Sequence, residues 1–391
     1  MSSFRVGAGL STDLVAVEAA EEAATLAAGM LGGATPNLVA AFIADEHRDS
    51  ASDIAGLLAR RFPASAIVGC AARGIVGGAR ELESGPAVSI WAGSLPDTEV
   101  RPFALDFEEV GDGEGDYSGW PHHVPPDATL LLLCDRFSFP AGHLVDKLND
   151  ERPLARVVGG IASGGDQSGE TMLLLGGEVR NHGAVGVAIS GRIRIEPLVS
   201  QGCRAIGEPM IVTRADRNII FELGGKKPID QIGALWSNAT PRDRGLMANG
   251  PLHIGRCIDE YKTDFDRGDF LIRTVVGADQ SAGIIAVNDM MQVGETVQFH
   301  VRDPETADED LRELLDGLRA QPAGAMMFTC NGRGTNMFDE PDHDASMITK
   351  ALGIPLSGFM CAGELGPVGG RNFLHGFTAS LAMFVDSGSA I

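Results

Sequence analysis

The chain has 391 residues, 44% of them hydrophobic, which is enough for two domains with well-buried cores. Asp and Glu number 53 against 31 Lys and Arg, and the net charge of −22 makes nucleic acid and anionic membranes unfavourable partners. Every apolar stretch is shorter than the roughly 18–20 residues that span a bilayer. The first residues lack the basic and apolar regions of a signal peptide, so we expect a cytoplasmic protein.

The first part of the chain alternates helical and strand patterns. Residues 15–31 are Ala-rich with helical spacing, and 38–45 predict a buried strand. A helix follows over 49–62, then a strand that runs to Cys70, and another strand over 87–93. This order predicts an α/β protein.

The same order returns twice further along the chain. Asp45 and Gly69 are 24 residues apart, and so are Asp135 and Gly159. The matched spacing predicts an internal repeat of strand, helix, strand into a glycine turn, and strand. The second copy begins at the strand 129–135, and the third covers the strand 324–331, the helix 344–353 and the strands 355–367 and 376–384.

These repeated strand–helix–strand–strand units predict mixed β-sheets flanked by helices and arranged in two halves. Gly224, Gly225 and Pro228 interrupt the pattern, so we place the domains at 1–226 and 227–391. Residues 111–127 are polar and rich in Gly and Pro, which predicts a loop. Further strands are expected within 269–303 and an amphipathic helix over 307–320.

Standard catalytic motifs are missing from the sequence, so candidate sites rest on Gly-bracketed polar residues at strand ends. Arg333 can grip a carboxylate or phosphate, and Glu364 can bind an ammonium group or pair with Arg333. Together the two charges suit a zwitterion such as an amino acid, although an Arg–Glu ion pair fits equally well. The candidate ligand-binding residues are Asn331, Gly332, Arg333, Gly363, Glu364 and Gly366.

Two further glycine turns carry polar groups and receive less weight. One lies at the junction of the two halves, and the other can donate backbone N–H groups to an anion. Both patterns are also typical of packing turns. Their candidate ligand-binding residues are Gln201, Cys203 and Arg204 in the first turn and Gly159, Gly160 and Ser163 in the second.

The six cysteines form no CxxC pair, and most lie in apolar runs, so we expect buried reduced thiols. An enzyme remains an alternative, because Cys70, Cys330 and Cys361 adjoin turns and His375 can act as a base. We expect neither a metal nor a cofactor. The adjacent histidines His122 and His123 lie in the polar loop and are not spaced for a metal.

Several segments together resemble the FIST family, over roughly residues 30–385. The two most specific are VSQGCRAIGEP at 199–209 and PLSGFMCAGELGPVGG at 355–370, separated by FTCNGRG at 328–334. The other matching segments are VVGGIAS (157–163), GAVGVAIS (183–190), VTRADRNIIFELGGKKP (212–228) and NFLHGFTASLAMF (372–384).

The resemblance implies a cytoplasmic sensory module for small ligands such as amino acids, acting in signal transduction. Some members of the family bind haem, so a haem sensor is a further alternative, as is a scaffold without a ligand. We expect a stand-alone FIST protein that works with a separate signalling output protein, because the two halves occupy the whole length. The resemblance supplies no catalytic residues.

Overall fold

A computed structural model describes residues 4–111, 114–262 and 264–389. The chain forms two compact units. The first comprises Met1–Val199, Arg312–Leu374 and Thr378–Ile391, and the second comprises Ser200–Leu311 and His375–Phe377. Residue 226, the predicted boundary between the two domains, lies within the second of these compact units.

The described residues form seven α-helices and twenty-five strands. The helices are α1 (Ala16–Met30), α2 (Ala51–Arg61), α3 (Ala141–Glu151), α4 (Pro228–Asn238), α5 (Pro241–Asn249), α6 (Pro304–Asp316) and α7 (His343–Leu352). The strands are β1 (Arg5–Ser11), β2 (Leu38–Ala44), β3 (Ala66–Ala72), β4 (Ile75–Gly77), β5 (Arg80–Leu82), β6 (Val88–Ser94), β7 (Thr98–Gly111), β8 (Glu114–Ser118), β9 (Thr129–Cys134), β10 (Arg156–Ile161), β11 (Leu173–Leu175), β12 (Glu178–Arg180), β13 (Ala184–Gly191), β14 (Ile193–Gln201), β15 (Cys203–Asp216), β16 (Ile219–Leu223), β17 (His253–Cys257), β18 (Phe270–Asp279), β19 (Ile284–Val287), β20 (Thr296–Arg302), β21 (Gly324–Cys330), β22 (Leu356–Cys361), β23 (Glu364–Val368), β24 (Arg371–His375) and β25 (Thr378–Asp386).

Three mixed sheets build the first unit, and their strand orders correspond. The orders are β1-β6-β2-β3-β11-β12, then β8-β7-β13-β9-β10-β23-β24, then β14-β25-β21-β22-β4-β5. Each sheet has a central parallel pair, β2/β3, β9/β10 or β21/β22, connected through a helix. The short hairpin after each pair joins a different sheet, so the three sheets interlock. The predicted α/β class with mixed sheets is confirmed.

Glycines allow the paired parallel strands to approach closely. Met327 is the register partner of Gly358, and a Cβ added at Gly358 would lie 1.9 Å from the Met327 carbonyl oxygen. Gly69 and Gly159 lie against the carbonyl groups of their own partners in the same way, at 2.2 and 1.9 Å. Any side chain here would separate the strands, which explains why all three positions hold glycine.

Aromatic side chains from the first and third sheets interlock in the core. The Phe42 ring stacks on Phe359 at 5.2 Å, and Trp91 packs on Phe384 at 4.3 Å between centroids. All four side chains are fully buried. This core places the carboxyl ends of β3 and β22 in the interior of the unit, where the candidate residues lie.

The second unit is a closed six-stranded barrel in the order β15-β16-β19-β18-β17-β20. Apolar side chains fill it, and Ile229, Ile232 and Leu235 of α4 pack against the same cluster. The sequence indicated β18, β19 and β20, whereas the remaining barrel strands were not predicted.

Two local predictions need correction. Strand β8 occupies Glu114–Ser118, within the segment 111–127 that we predicted as a loop, and it pairs with β7. Residues 112 and 113 lie outside the described part. The predicted helix 307–320 begins earlier, at Pro304, because proline suits the first turn, and it ends at Asp316.

Candidate functional site

The candidate site lies in the first unit, where β21 and β22 end. Cys330 closes β21 and Cys361 closes β22, and the two are register partners. The Asn331 N–H donates to the Cys361 carbonyl oxygen at 2.9 Å, which holds the two strand ends together. We call Glu81, Cys330, Arg333, Asp344, Cys361, Glu364 and Thr378 the strand-end cluster.

Arg333 is fully buried and its guanidinium is bound by Asp344. Nε donates to Asp344 Oδ2 at 2.6 Å and Nη2 donates to Oδ1 at 2.8 Å, which makes a two-point ion pair. Burial opposes charge on both groups, but the guanidinium holds the pKa of Asp344 well below its usual range. This ion pair occupies the face of Arg333 that was predicted to grip a ligand.

A second buried carboxyl group, Glu81, stands beside this ion pair. Its Oε1 accepts the Ala345 N–H at 2.7 Å, whereas Oε2 has no hydrogen-bond partner among the residues that the structure describes. Burial and the charge of Asp344 raise the pKa of Glu81 to about 8. Glu81 is therefore mostly protonated at neutral pH and leaves Asp344 as the counter-ion of Arg333.

Glu364 is the most distinctive group of the strand-end cluster. It is fully buried, and its Oε2 accepts the Thr378 hydroxyl at 2.8 Å and the Thr378 N–H at 3.2 Å. Its Oε1 has no oxygen or nitrogen partner among the described residues. Burial raises the pKa of Glu364 to about 8, although Thr378, Arg333 and the Cys330 thiol oppose the rise. A buried carboxyl oxygen with unused acceptor capacity is costly unless a ligand satisfies it.

The thiols of the strand-end cluster differ in accessibility. Cys361 is fully buried, and burial raises its pKa well above the ordinary value. Cys330 is half-buried, and its Sγ accepts the Gly332 N–H at 3.4 Å. Cys70, another candidate nucleophile of the enzyme alternative, is fully buried, and burial raises its pKa. His375, the candidate base of that alternative, belongs to the second unit. Cys330 is therefore the accessible thiol of the three.

Four other predicted residues lie on or near this cluster. Gly363 accepts the Ile161 N–H through its carbonyl oxygen at 2.8 Å, and Gly366 is buried in β23. Asn331 and Gly332 are half-buried and form its more accessible edge.

Gly159, Gly160 and Ser163 join the strand ends of the first unit. A Cβ at Gly160 would lie 2.4 Å from the Sγ of Cys361, so this glycine makes room for the thiol. The buried Ser163 hydroxyl donates to the Met360 carbonyl at 2.5 Å and accepts the Arg73 N–H at 3.0 Å. These groups are occupied by packing and internal hydrogen bonds.

Gln201, Cys203 and Arg204 lie in the second unit, apart from the others in the division of the chain. The Gln201 amide donates to the Phe270 carbonyl at 3.0 Å, and Cys203 packs in a small apolar cluster. Arg204 donates to Asp303 at 2.7 Å and to Asp243 at 2.5 Å. All three hold the barrel together.

One further buried group of the second unit is His253. Neither ring nitrogen has a hydrogen-bond partner in the described ranges of the chain, and the ring packs on Phe377 at 4.5 Å between centroids. Burial, with Arg302 and His300 nearby, lowers the pKa of His253 to about 4. The ring is therefore neutral at physiological pH.

Sequence reasoning missed Glu81, Asp344 and Thr378. Asp344 lies in the first turn of α7, where an acidic residue usually indicates favourable interaction with the helix dipole. Only the fold shows that it faces Arg333. Within residues 4–111, 114–262 and 264–389, no group of three or more His, Cys, Asp or Glu is placed to hold a metal ion, and no helix is long and apolar enough to cross a membrane.

Comparison with known proteins gives two family matches and several relatives. Sequence models of the FIST N domain and the FIST C domain match residues 37–226 and 236–367. An uncharacterized protein of Mycobacterium tuberculosis strain CDC 1551 is 44% identical over 388 residues, which cover 98% of this chain and 100% of the relative. An uncharacterized protein of Mycobacterium bovis is 43% identical, with coverage of 98% and 99%.

Proposed function

Since the chain belongs to the FIST family, we propose that it is a sensory protein that binds a small metabolite carrying an ammonium group, such as an amino acid. FIST domains are generally associated with sensory signal transduction. The binding group in this proposal is Glu364, and the observation that carries it is the buried Oε1, which has no oxygen or nitrogen partner within the described part of the chain.

An ammonium ligand suits Glu364 for an electrostatic reason. The carboxyl group is mostly protonated at pH 7, since burial raises its pKa to about 8. A ligand cation at Oε1 favours the ionised form and offers the hydrogen-bond donors that Oε1 lacks. Binding should therefore release a proton.

The same site disfavours a ligand held only by its carboxylate. Asp344 already occupies Nε and Nη2 of Arg333, and the guanidinium is fully buried. A carboxylate on the ligand would have to face the half-buried edge at Asn331 and Gly332. We therefore place amines and amino acids ahead of dicarboxylates as ligands.

The remaining parts of the proposal concern the cell. We propose a cytoplasmic protein that passes its signal to a separate output protein. The proposal includes neither nucleic acid nor anionic membranes as partners, because a net charge of −22 repels both.

A calorimetric titration with amino acids and simple amines tests the proposal. We expect at least one ligand to bind the wild-type chain and Glu364→Gln to weaken it at least tenfold, because the amide cannot supply the negative charge. As the pH is raised toward 8, the apparent affinity should increase by up to about tenfold per pH unit. Repeating the titration in buffers of different ionisation enthalpy should show proton release.

Glu81→Gln is the matched control. It also removes a buried carboxyl group with a pKa of about 8 and one unpartnered oxygen. Equal loss in both variants, or ligand binding without proton release, would contradict the role of Glu364. Binding of haem with a Soret band, and of none of the amines, would support the haem sensor instead.

A further inference from the structure

Two thiols lie side by side at the ends of β21 and β22. Cys330 and Cys361 are register partners on these parallel strands, and all six cysteines of the chain are thiols. Register partners point to the same face, and neighbouring strands are about 4.8 Å apart. Disulfide-bonded cysteines have Cα atoms about 4.4–6.8 Å apart. A bond between Cys330 and Cys361 therefore requires little backbone movement.

The two thiols differ in how a reagent can reach them. Cys330 is half-buried, and its Sγ accepts the Gly332 N–H at 3.4 Å. Cys361 is fully buried, and a Cβ added at Gly160 would lie 2.4 Å from its Sγ. An oxidant in solution therefore meets Cys330 first, and Cys361 reacts only through Cys330.

We propose that Cys330 and Cys361 form a hydroperoxide-responsive thiol pair. In the first step the Cys330 sulfur attacks the hydroperoxide, the O–O bond breaks, and the products are the Cys330 sulfenic acid and an alcohol, or water from hydrogen peroxide. In the second step the Cys361 sulfur displaces the sulfenic hydroxyl group. The S–S bond forms and one water leaves, carrying the thiol proton of Cys361.

The disulfide would change the surroundings of Glu364, because the Cys330 thiol faces this carboxyl group. Oxidation removes the thiol proton and redirects the sulfur toward β22. We expect weaker ligand binding after oxidation, a consequence that rests on the proposed function. Formation of the disulfide does not depend on that function, so the two can fail separately.

Peptide mapping of the full chain after treatment with hydrogen peroxide tests the pair. We expect a peptide linked through Cys330 and Cys361 that dithiothreitol separates. In Cys361→Ser the link is lost, and dimedone should label the trapped sulfenic acid at Cys330. In Cys330→Ser neither product should form, whereas Cys257→Ser, in the second unit, should behave as the wild type.

Several outcomes would overturn the proposal. They are oxidation confined to methionine, a link between Cys361 and Cys70 in place of Cys330, or equal dimedone labelling of Cys330 in the wild type and in Cys361→Ser. Tryptophan fluorescence, to which the fully buried Trp91 contributes, is recorded during the treatment and shows whether the chain stays folded. A link that appears only after this signal is lost would also count against the proposal.

Discussion

The buried ion pair of Arg333 and Asp344 makes a quantitative prediction about stability. Both side chains have no solvent exposure, so removing either one leaves a charge that water cannot reach. Breaking a buried pair in this way typically costs about 3–5 kcal/mol. We expect Arg333→Met and Asp344→Asn each to lower the free energy of unfolding of the first unit.

The two costs should differ because Glu81 lies beside the pair. Burial is the larger cause of the raised pKa of Glu81, and Asp344→Asn removes the second cause, the repulsion by Asp344, while Arg333 remains. Glu81 can then ionise and replace the lost counter-ion, so the cost should lie near ~3 kcal/mol. Arg333→Met removes the main counter-ion of Asp344 and leaves His343 as the remaining group that can balance its charge. The loss in the free energy of unfolding should therefore lie near ~5 kcal/mol.

Urea unfolding followed through Trp91 measures these differences. Replacing Trp120 and Trp236 by Phe leaves Trp91, which is fully buried in the first unit, as the only tryptophan. Adding Glu81→Gln to Asp344→Asn should raise the cost to that of Arg333→Met. The reasoning would be refuted if the single variants had free energies of unfolding within about 1 kcal/mol of the wild type. It would also be refuted if adding Glu81→Gln to Asp344→Asn lowered the free energy of unfolding no further.

Two further predictions concern packing and acid stability. Gly358→Ala should destabilise the first unit by about 3 kcal/mol or more, because its Cβ would lie 1.9 Å from the Met327 carbonyl oxygen. Gly233→Ala on α4 has open space around the added Cβ, so it should stabilise the protein by about 0.5–1 kcal/mol. Urea unfolding measures both changes. His253 has a folded pKa of about 4 against 6.5 unfolded, so the unfolded chain binds more protons and stability falls as pH drops from 6.5 toward 4. Thermal unfolding across this range should show a smaller loss for His253→Phe, and an equal loss would contradict the burial of a neutral ring.

Short-range patterns were sufficient to predict much of the first unit. The seven residues of β2 are all buried, and the strand reads as an uninterrupted apolar run. Helix α1 was found within one residue at each end because six alanines recur on its buried face. Glycines such as Gly69 and Gly159 marked strand positions whose close approach to a partner excludes a side chain.

Other features depend on contacts that no local pattern encodes. The second unit returns at His375–Phe377 after the chain has rejoined the first, and sequence order cannot show this. Strand β15 has eleven exposed or partly exposed positions among fourteen, so it lacks the apolar run that identified β2. For the site, the sequence indicated Arg333 and Glu364, but the partners Asp344 and Thr378 come from other elements that only the fold brings near.

The charge state of the strand-end cluster connects the site to the composition of the chain. At pH 7 Arg333 and Asp344 cancel, and Glu81 and Glu364 are mostly protonated, because burial raises the pKa of each to about 8. The cluster is thus nearly neutral when empty, although it holds three carboxyl groups. A cation can enter it because Glu364 loses its proton in exchange, whereas an anion finds the guanidinium already bound. The net charge of −22 attracts cations over a longer range, so the surface and the buried site both favour a ligand that carries a positive charge.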